Sequence, residues 1–252
     1  MSSIYLGIPT YDSNLSKETV QSIQTGSKGK HTIIQVVSSS SQLSFNFNLL
    51  LSDCLNKRNT TDLDYFLMLH ADIGLEEGWI DKLVSLIEEY KGNVISVISP
   101  IKDNRGLVSC GIWNKEEGKV NRFTLRELYD SSELKDCITF GNDELGLNDN
   151  KRCLVVNTGV MLVKLKEDKG NYVEWIERTH FEMNDNILTS VKDGKKVFTP
   201  ATLSEDWHFS LQATDLRQRV LATRDIKLEH FGRVSFKNTH SWGDWDSDRG
   251  TL

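Results

Sequence analysis

Four short apolar runs constrain this chain more than anything else in it: IYLGIP (residues 4–9), TIIQVV (32–37), YFLML (65–69) and VISVI (94–98). Each is too short for a helix and apolar on both alternating sides, the pattern of a strand covered from above and below. The segments between them have helical spacing. Residues 15–25 place Val20 and Ile23 inward, about 44–57 repeat through Phe47, Leu50, Leu51 and Cys54, and 77–90 repeat through Trp79, Leu83, Leu86, Ile87 and Tyr90. Strands alternating with amphipathic helices predict an α/β fold on a parallel sheet with helices on both faces. Ligands of such sheets bind beyond the carboxyl ends of the strands.

The third run ends unusually. It passes straight into His70-Ala71-Asp72, so an imidazole and a carboxylate stand at the end of a strand that is otherwise all core. The second half changes texture. Residues 114–152 are polar and read as a solvated insertion. CLVVNTGVMLVKL (153–165) returns as a long strand broken at Asn157-Thr158-Gly159. Glycine there marks a bulge or a close backbone approach. TLSEDWHFSLQAT (202–214) predicts a helix capped by Ser204, with Glu205 and Asp206 in its first turn. The last segment carries His230, His240, Trp242 and Trp245 among glycines and aspartates. No repeat and no Pro-, Gly- or Ser-rich linker divides the 252 residues, which predicts a single domain.

Composition narrows the function classes. Hydrophobic residues make up 38% and charged residues 26%, as in an ordinary soluble globular protein. No apolar run reaches the roughly 18 residues of a membrane span. The start, MSSIYLGIPTYD, lacks the basic-then-apolar pattern of a signal peptide. A net charge of −6 argues against a general polyanion binder but leaves room for a local basic groove. Cys54, Cys110, Cys137 and Cys153 are scattered and form no C-x-x-C pair. Free thiols in a reducing, cytoplasmic setting are expected, with neither a zinc knuckle nor a disulfide framework.

Taken singly, the polar residues have simple structural readings. Asp72 can cap the next segment, Glu205 and Asp206 can complement a helix dipole, and His230 can be a core histidine. Their order carries more. GIPTYD (7–12), FLMLHADI (66–73), NTGVMLVK (157–164), SEDWHFSLQA (204–213) and EHFGRVSF (229–236) span nearly the whole chain. In that order they resemble the GT-A glycosyltransferases, especially the family-2-like branch of bacterial and phage type. The resemblance implies a Rossmann-like mixed sheet flanked by helices, with a nucleotide-sugar half (about 1–110), an acceptor half (111–238) and a mobile tail or lid (239–252). It implies a metal-dependent enzyme that moves a sugar from a nucleotide-sugar donor to an acceptor hydroxyl, inverting the anomeric centre.

On that resemblance, FLMLHADI takes the place of an Asp-x-Asp motif. Asp72 and His230, with His70 beside them, bind Mn²⁺ (or Mg²⁺) on the donor diphosphate, and the imidazole favours Mn²⁺. Such a cation stabilises the charge growing on the departing phosphate. Pro9, Thr10, Tyr11, Asp12, His70, Ala71 and Asp72 line the donor pocket. Asp206 is the catalytic base, next to Glu205. Asn157, Thr158, Gly159, Trp207 and Arg233 face the acceptor. His240 and Trp242 belong to a lid that orders over the donor, the other reading being a disordered end.

Three departures stand out. His70 replaces the first Asp, VVSSSS (36–41) offers no acid at the end of the second strand, and Asn46 and Asn48 come without an arginine. A nucleotidyltransferase and a non-catalytic sugar or nucleotide binder are the alternatives. The first of these usually has a Gly-rich basic loop, which PTYDSNLSKET is not. The resemblance implies as acceptor a surface glycan or a hydroxymethylated base of phage DNA, in a host cytoplasm if phage-encoded. A DNA acceptor wants a cationic groove. Arg217, Arg219, Arg224, Lys227, Arg233 and Lys237 cluster in sequence.

Overall fold

The computed structural model describes residues 1–147, 151–167, 170–232 and 234–243. The expected alternation opens the chain: β1 (Ser2–Thr10), α1 (Lys17–Thr25), β2 (His31–Ser39), α2 (Leu43–Lys57), β3 (Tyr65–Leu69), a short β4 (Ile73–Leu75), α3 (Trp79–Glu89) and β5 (Val94–Val97). Ser16 caps α1 by accepting from the Thr19 N–H. The buried face of α1 is not the Val20–Ile23 stripe. Thr19 and Ser22 are buried and Val20 is exposed. Thr19 Oγ1 donates to the Ile73 carbonyl (2.9 Å), and Ser22 Oγ accepts from the Leu75 N–H (2.7 Å). Hydrogen bonds to β4, rather than an apolar face alone, dock this helix.

The polar stretch corrects the expectation of a solvated insertion. After β6 (Leu107–Asn114) come β7 (Lys119–Thr124), α4 (Leu125–Asp130) and β8 (Thr139–Phe140). Val120, Phe123, Leu125, Leu128 and Phe140 are all buried. A few apolar residues at the right positions anchor the segment, while its many charges face outward. Thr124 and Glu127 close a reciprocal capping box on α4. The long strand does break at Asn157-Thr158-Gly159, and its pieces, β9 (Arg152–Val155) and β10 (Val160–Lys164), join different sheets. The chain continues through β11 (Asn184–Lys192), β12 (Lys195–Leu203), α5 (Glu205–Asp215), β13 (Val220–Thr223), β14 (Leu228–Phe231) and β15 (Ser235–Lys237).

Seven strands form the main sheet in the order β2-β1-β3-β10-β5-β13-β8. The sheet is mixed rather than wholly parallel, because β10 enters antiparallel between β3 and β5. One core layer takes Trp79, Leu83 and Ile87 of α3 against Leu6, Leu67 and Ile95, and the opposite layer takes Phe47 and Leu50 of α2 and Phe209 of α5 against Phe66, Met68 and Met161. Two small sheets flank this one, ordered β15-β14-β4 and β7-β6-β9. β11 and β12 pair only with each other, forming a ribbon that turns at Asp193 and Gly194, both with positive φ. Every residue of β11 is exposed.

The cysteines are free, and burial pushes the Cys54 and Cys110 thiols up to about 12, which suits inert core residues. Among the described residues no helix is long and apolar enough to cross a membrane.

Candidate functional site

β1, β3, β5 and β13 run in one direction, so their carboxyl ends share an edge. The turn before β10 crosses this edge. The Gly159 carbonyl accepts from the His70 N–H (2.9 Å). A Cβ on Gly159 would lie 2.9 Å from Ile73 Cδ1 and 3.2 Å from Ser99 Oγ, so a side chain would push these segments apart. With the Asn157 amide oxygen accepting from the Gly159 N–H (3.0 Å), its nitrogen donates to Ser109 Oγ (3.0 Å) and the Val97 carbonyl (3.3 Å). Thr158 Oγ1 lies 3.1 Å from His70 Nε2. Asn157 and Thr158 are buried. These residues, expected to touch an acceptor, instead brace the edge and orient His70. The His70 ring packs on Phe47 at 5.4 Å, and burial pushes its pKa down to about 4. Its imidazole is therefore neutral near pH 7.

Asp72 follows one turn later. The Ala71 carbonyl accepts from the Ser16 N–H (2.8 Å), and the Asp72 carbonyl accepts from the Phe231 N–H (2.8 Å). Antiparallel pairing sets His230 opposite Ile73. His230 Nε2 thereby comes 3.5 Å from Asp72 Oδ1. Lys102, which carries no signal in the sequence, forms an ion pair with Asp72 Oδ2. Burial acts to raise the Asp72 pKa, but His230 and Lys102 together overcome it and hold the carboxyl far below its ordinary range.

The donor set can be tested for a cation. The Pro100 carbonyl, which can only accept, sits 2.8 Å from His230 Nδ1. Nδ1 therefore carries a hydrogen, and Nε2 is the ring nitrogen that faces the carboxylate. Asp72 Oδ1 is buried without a hydrogen-bond partner. A carboxylate oxygen and an imidazole nitrogen 3.5 Å apart can share either a proton or a metal ion between them. One imidazole nitrogen and one carboxylate oxygen fit Mn²⁺ or Mg²⁺ as protein ligands. His70 has its Nε2 on Thr158, so only its Nδ1 could join them.

The start of α5 lies close by. The Val156 N–H donates to Ser210 Oγ (3.1 Å), fixing α5 against the residue before Asn157. Trp207 Nε1 donates to the Ser109 carbonyl (3.1 Å), so Ser109 links the helix to the Asn157 brace. Trp207 is buried, contrary to its expected place on the acceptor surface. The Arg122 guanidinium lies over its ring at 4.3 Å. The Ser204 hydroxyl does not cap the helix but donates to Asp206 Oδ1, which also accepts from the Trp207 N–H (2.8 Å). Burial raises the Asp206 pKa, against those bonds and the Arg122 charge. Glu205 is buried with Oε2 unpartnered, and burial, reinforced by the Asp206 charge, pushes it up to about 7.

On the donor side, Pro9 and Thr10 are buried at the end of β1. Asn46 Nδ2 donates to the Thr10 (3.0 Å) and Ser38 (3.2 Å) carbonyls and so clamps the ends of β1 and β2. Tyr11 is 68% exposed and free to meet a ligand. Asp12 accepts from the Asn14 side chain (2.8 Å) and N–H (3.1 Å), which hold its pKa below the usual carboxylate range.

The tail is docked as far as it is described. Trp242 packs on Phe236 at 5.7 Å and donates to the Lys237 carbonyl (2.6 Å). Gly106 has φ +72°, and a Cβ there would run into the Trp242 carbonyl. Residues 239–243 are thus held against the body, while His240 is exposed. Trp245 and the rest of the proposed lid lie outside the described residues, as does Arg233. The basic cluster is dispersed. Arg219 pairs with Asp143 and Glu144, Arg224 stacks on Tyr129 at 4.6 Å, and Lys237 pairs with Glu229 at 3.0 Å.

No family model matches the chain, and no curated protein matches it. Among solved structures it is similar to A197 from STIV, at 16% identity and a TM-score of 0.50, over 92% of this chain and 86% of that one. At that identity the likeness is one of fold. Weaker likenesses are to S. aureus TarS 1-349, at 12% identity and a TM-score of 0.38, and to the same protein in complex with UDP-GlcNAc, at 12% and 0.39. They cover 89% of this chain but only 58% and 56% of the TarS 1-349 chains, so this chain spans little more than half the length of those chains.

Proposed function

We propose that this chain is a glycosyltransferase that moves a sugar from a nucleotide-sugar donor to an acceptor hydroxyl with the help of a divalent cation. The observation that carries the reading is the buried, unpartnered Asp72 Oδ1 facing His230 Nε2 across 3.5 Å, at the carboxyl edge of the sheet. The order of motifs shared with the GT-A enzymes supports it. Asp72 and His230 would hold Mn²⁺ or Mg²⁺, which when bound offsets the charge growing on the leaving diphosphate. Tyr11, exposed at the end of β1, offers a face for the nucleotide base. The start of α5 provides the base for the acceptor hydroxyl. Of its two acids, Glu205 has the unpartnered oxygen and the pKa nearer neutrality, while Asp206 is engaged by Ser204 and Trp207. We therefore place the proton-accepting role on Glu205 first, with Asp206 beside it, and expect inversion. The acceptor is a glycan or a hydroxymethylated base.

A second reading, a non-catalytic nucleotide binder, is favoured by one contact. Lys102 already sits on Asp72 and could supply the positive charge permanently.

A thermal-shift series with nucleoside diphosphates and nucleotide sugars, with and without Mn²⁺, tests both. A ligand at 100 times its Kd adds about 2.7 kcal/mol to the native state. We expect a Mn²⁺-dependent rise that Asp72→Asn abolishes. The metal assignment fails if both proteins respond equally. Slow Mn²⁺-dependent donor hydrolysis separates enzyme from binder, because a binder releases no sugar.

A further inference from the structure

A second histidine–carboxylate cluster lies outside the site described above. His180 and Glu182 follow the one-turn helix Trp175–Arg178, and His208 projects from α5. His180 Nε2 is 3.1 Å and His208 Nε2 3.9 Å from the same Glu182 oxygen, and one ligand atom from each residue falls within 4.8 Å of the others. The two rings meet edge to face at 5.5 Å.

We propose that His180, Glu182 and His208 form a second divalent-metal site, with Zn²⁺ as the preferred ion. Two imidazoles and one carboxylate are a three-ligand zinc set that leaves a fourth position for water. The cluster is braced as a site must be. The Gln212 amide oxygen accepts from the His180 N–H (2.9 Å), its nitrogen donates to the His180 carbonyl (3.2 Å), and the same nitrogen lies 2.8 Å from His208 Nδ1. One side chain therefore fixes the His180 backbone, while a metal on His208 has to displace this amide from its ring. Asn48 grips the next residue in the same two-point manner, accepting from the Phe181 N–H (2.9 Å) and donating to its carbonyl (2.7 Å). The Phe181 ring is locked between Phe47 at 5.3 Å and Phe209 at 4.7 Å. Because Phe181 points into the core, its neighbours His180 and Glu182 turn outward together, toward His208.

The placement gives the site a purpose. Glu182 stands just ahead of β11, and His208 stands in the second turn of the helix that follows β12. Both legs of the exposed ribbon spring from this cluster. A bound ion would tie them together and fix the ribbon's angle to the body, where a two-stranded hairpin alone is marginal in water.

The test is a Zn²⁺ titration by calorimetry in the Asp72→Asn background, which removes the other proposed metal centre. We expect one Zn²⁺ per chain, with affinity at least about tenfold weaker after Glu182→Gln or His180→Asn. His180 and Glu182 are 56% and 53% exposed, so these changes leave the fold intact, which unchanged circular dichroism confirms. The proposal is overturned if the Asp72→Asn protein binds no Zn²⁺, or if the added substitutions leave its affinity unchanged.

Discussion

Asp72 and Glu205 are both acids at the end of a secondary-structure element, and the fold treats them in opposite ways. Asp72 follows a buried strand, where burial acts to force it neutral. Instead, Lys102 and His230 hold it ionised. Glu205 opens a helix, where the macrodipole should favour its charge by about 0.3–1 kcal/mol. Yet it lies buried with an unpartnered oxygen, and its pKa rises to about 7. Removing a carboxylate from water without a partner costs more than a helix terminus returns. Neighbours, not position along the chain, divide the roles. A permanently charged acid suits a cation, and an acid poised near neutrality suits proton transfer.

The sharpest way to break this contrast is to remove each acid at the helix start. On the proposed function, Glu205→Gln should lower transfer by on the order of 10²–10⁴, the usual worth of a general base. Asp206→Asn should cost less, because Asp206 is already engaged by Ser204 and Trp207. Donor affinity should survive both changes, and parental activity should rise with pH through about 7 as Glu205 ionises. Initial rates and donor binding measured side by side decide it. If Asp206→Asn is the more damaging, the base is Asp206 and the contrast with Asp72 loses its functional half.

The same contrast predicts opposite slopes of stability against pH. Glu205 has a folded pKa of about 7 against an ordinary 4.5, so between those values the native state holds a proton that the unfolded chain releases. Its contribution falls as pH rises across that window, by on the order of 3 kcal/mol. Asp72 has a lowered pKa, so its contribution is present above its ordinary 3.8 and is lost as pH falls toward the folded value. Urea melts of parent and Glu205→Gln at several pH values isolate the first effect. We expect the variant to gain on the parent as pH rises from 5 to 8. Parallel curves would mean that Glu205 titrates normally.

How much of this could be read in the sequence follows from what each feature depends on. β1, β3 and β5 were legible because a covered strand needs an unbroken apolar run, and Asp72 was legible because it interrupts one. The direction of β10 was not, since a strand buried on both faces looks the same whichever way it runs. The ribbon was missed because its residues face water on both sides and follow no core period. Asp193-Gly194, with positive φ at both positions, was the one hairpin signal available. Lys102 comes from a loop with no pattern of its own. The difference between Glu205 and Asp206 depends on which carboxylate the folded chain leaves unpartnered, and adjacent acids in a helical first turn do not reveal that.

The smallest effect concerns what neutralises Asp72. Lys102 and Asp72 have side chains 34% and 41% exposed, so solvent screens their ion pair and its loss costs no more than about 1 kcal/mol. Lys102→Met should therefore barely move the melting point. If Asp72 Oδ1 and His230 Nε2 await a metal, removing the ammonium from the neighbouring oxygen removes a competitor. Affinity for Mn²⁺ in the presence of a nucleoside diphosphate should then rise severalfold, about what 1 kcal/mol allows. If instead the lysine supplies the charge, as the binder reading has it, the variant should lose nucleoside diphosphate affinity, and added Mn²⁺ should not restore it. Calorimetric titrations of parent and variant give opposite signs for the two cases. The sign matters because the same carboxylate is held ionised in both. What differs is whether Lys102 keeps the cation's place or yields it.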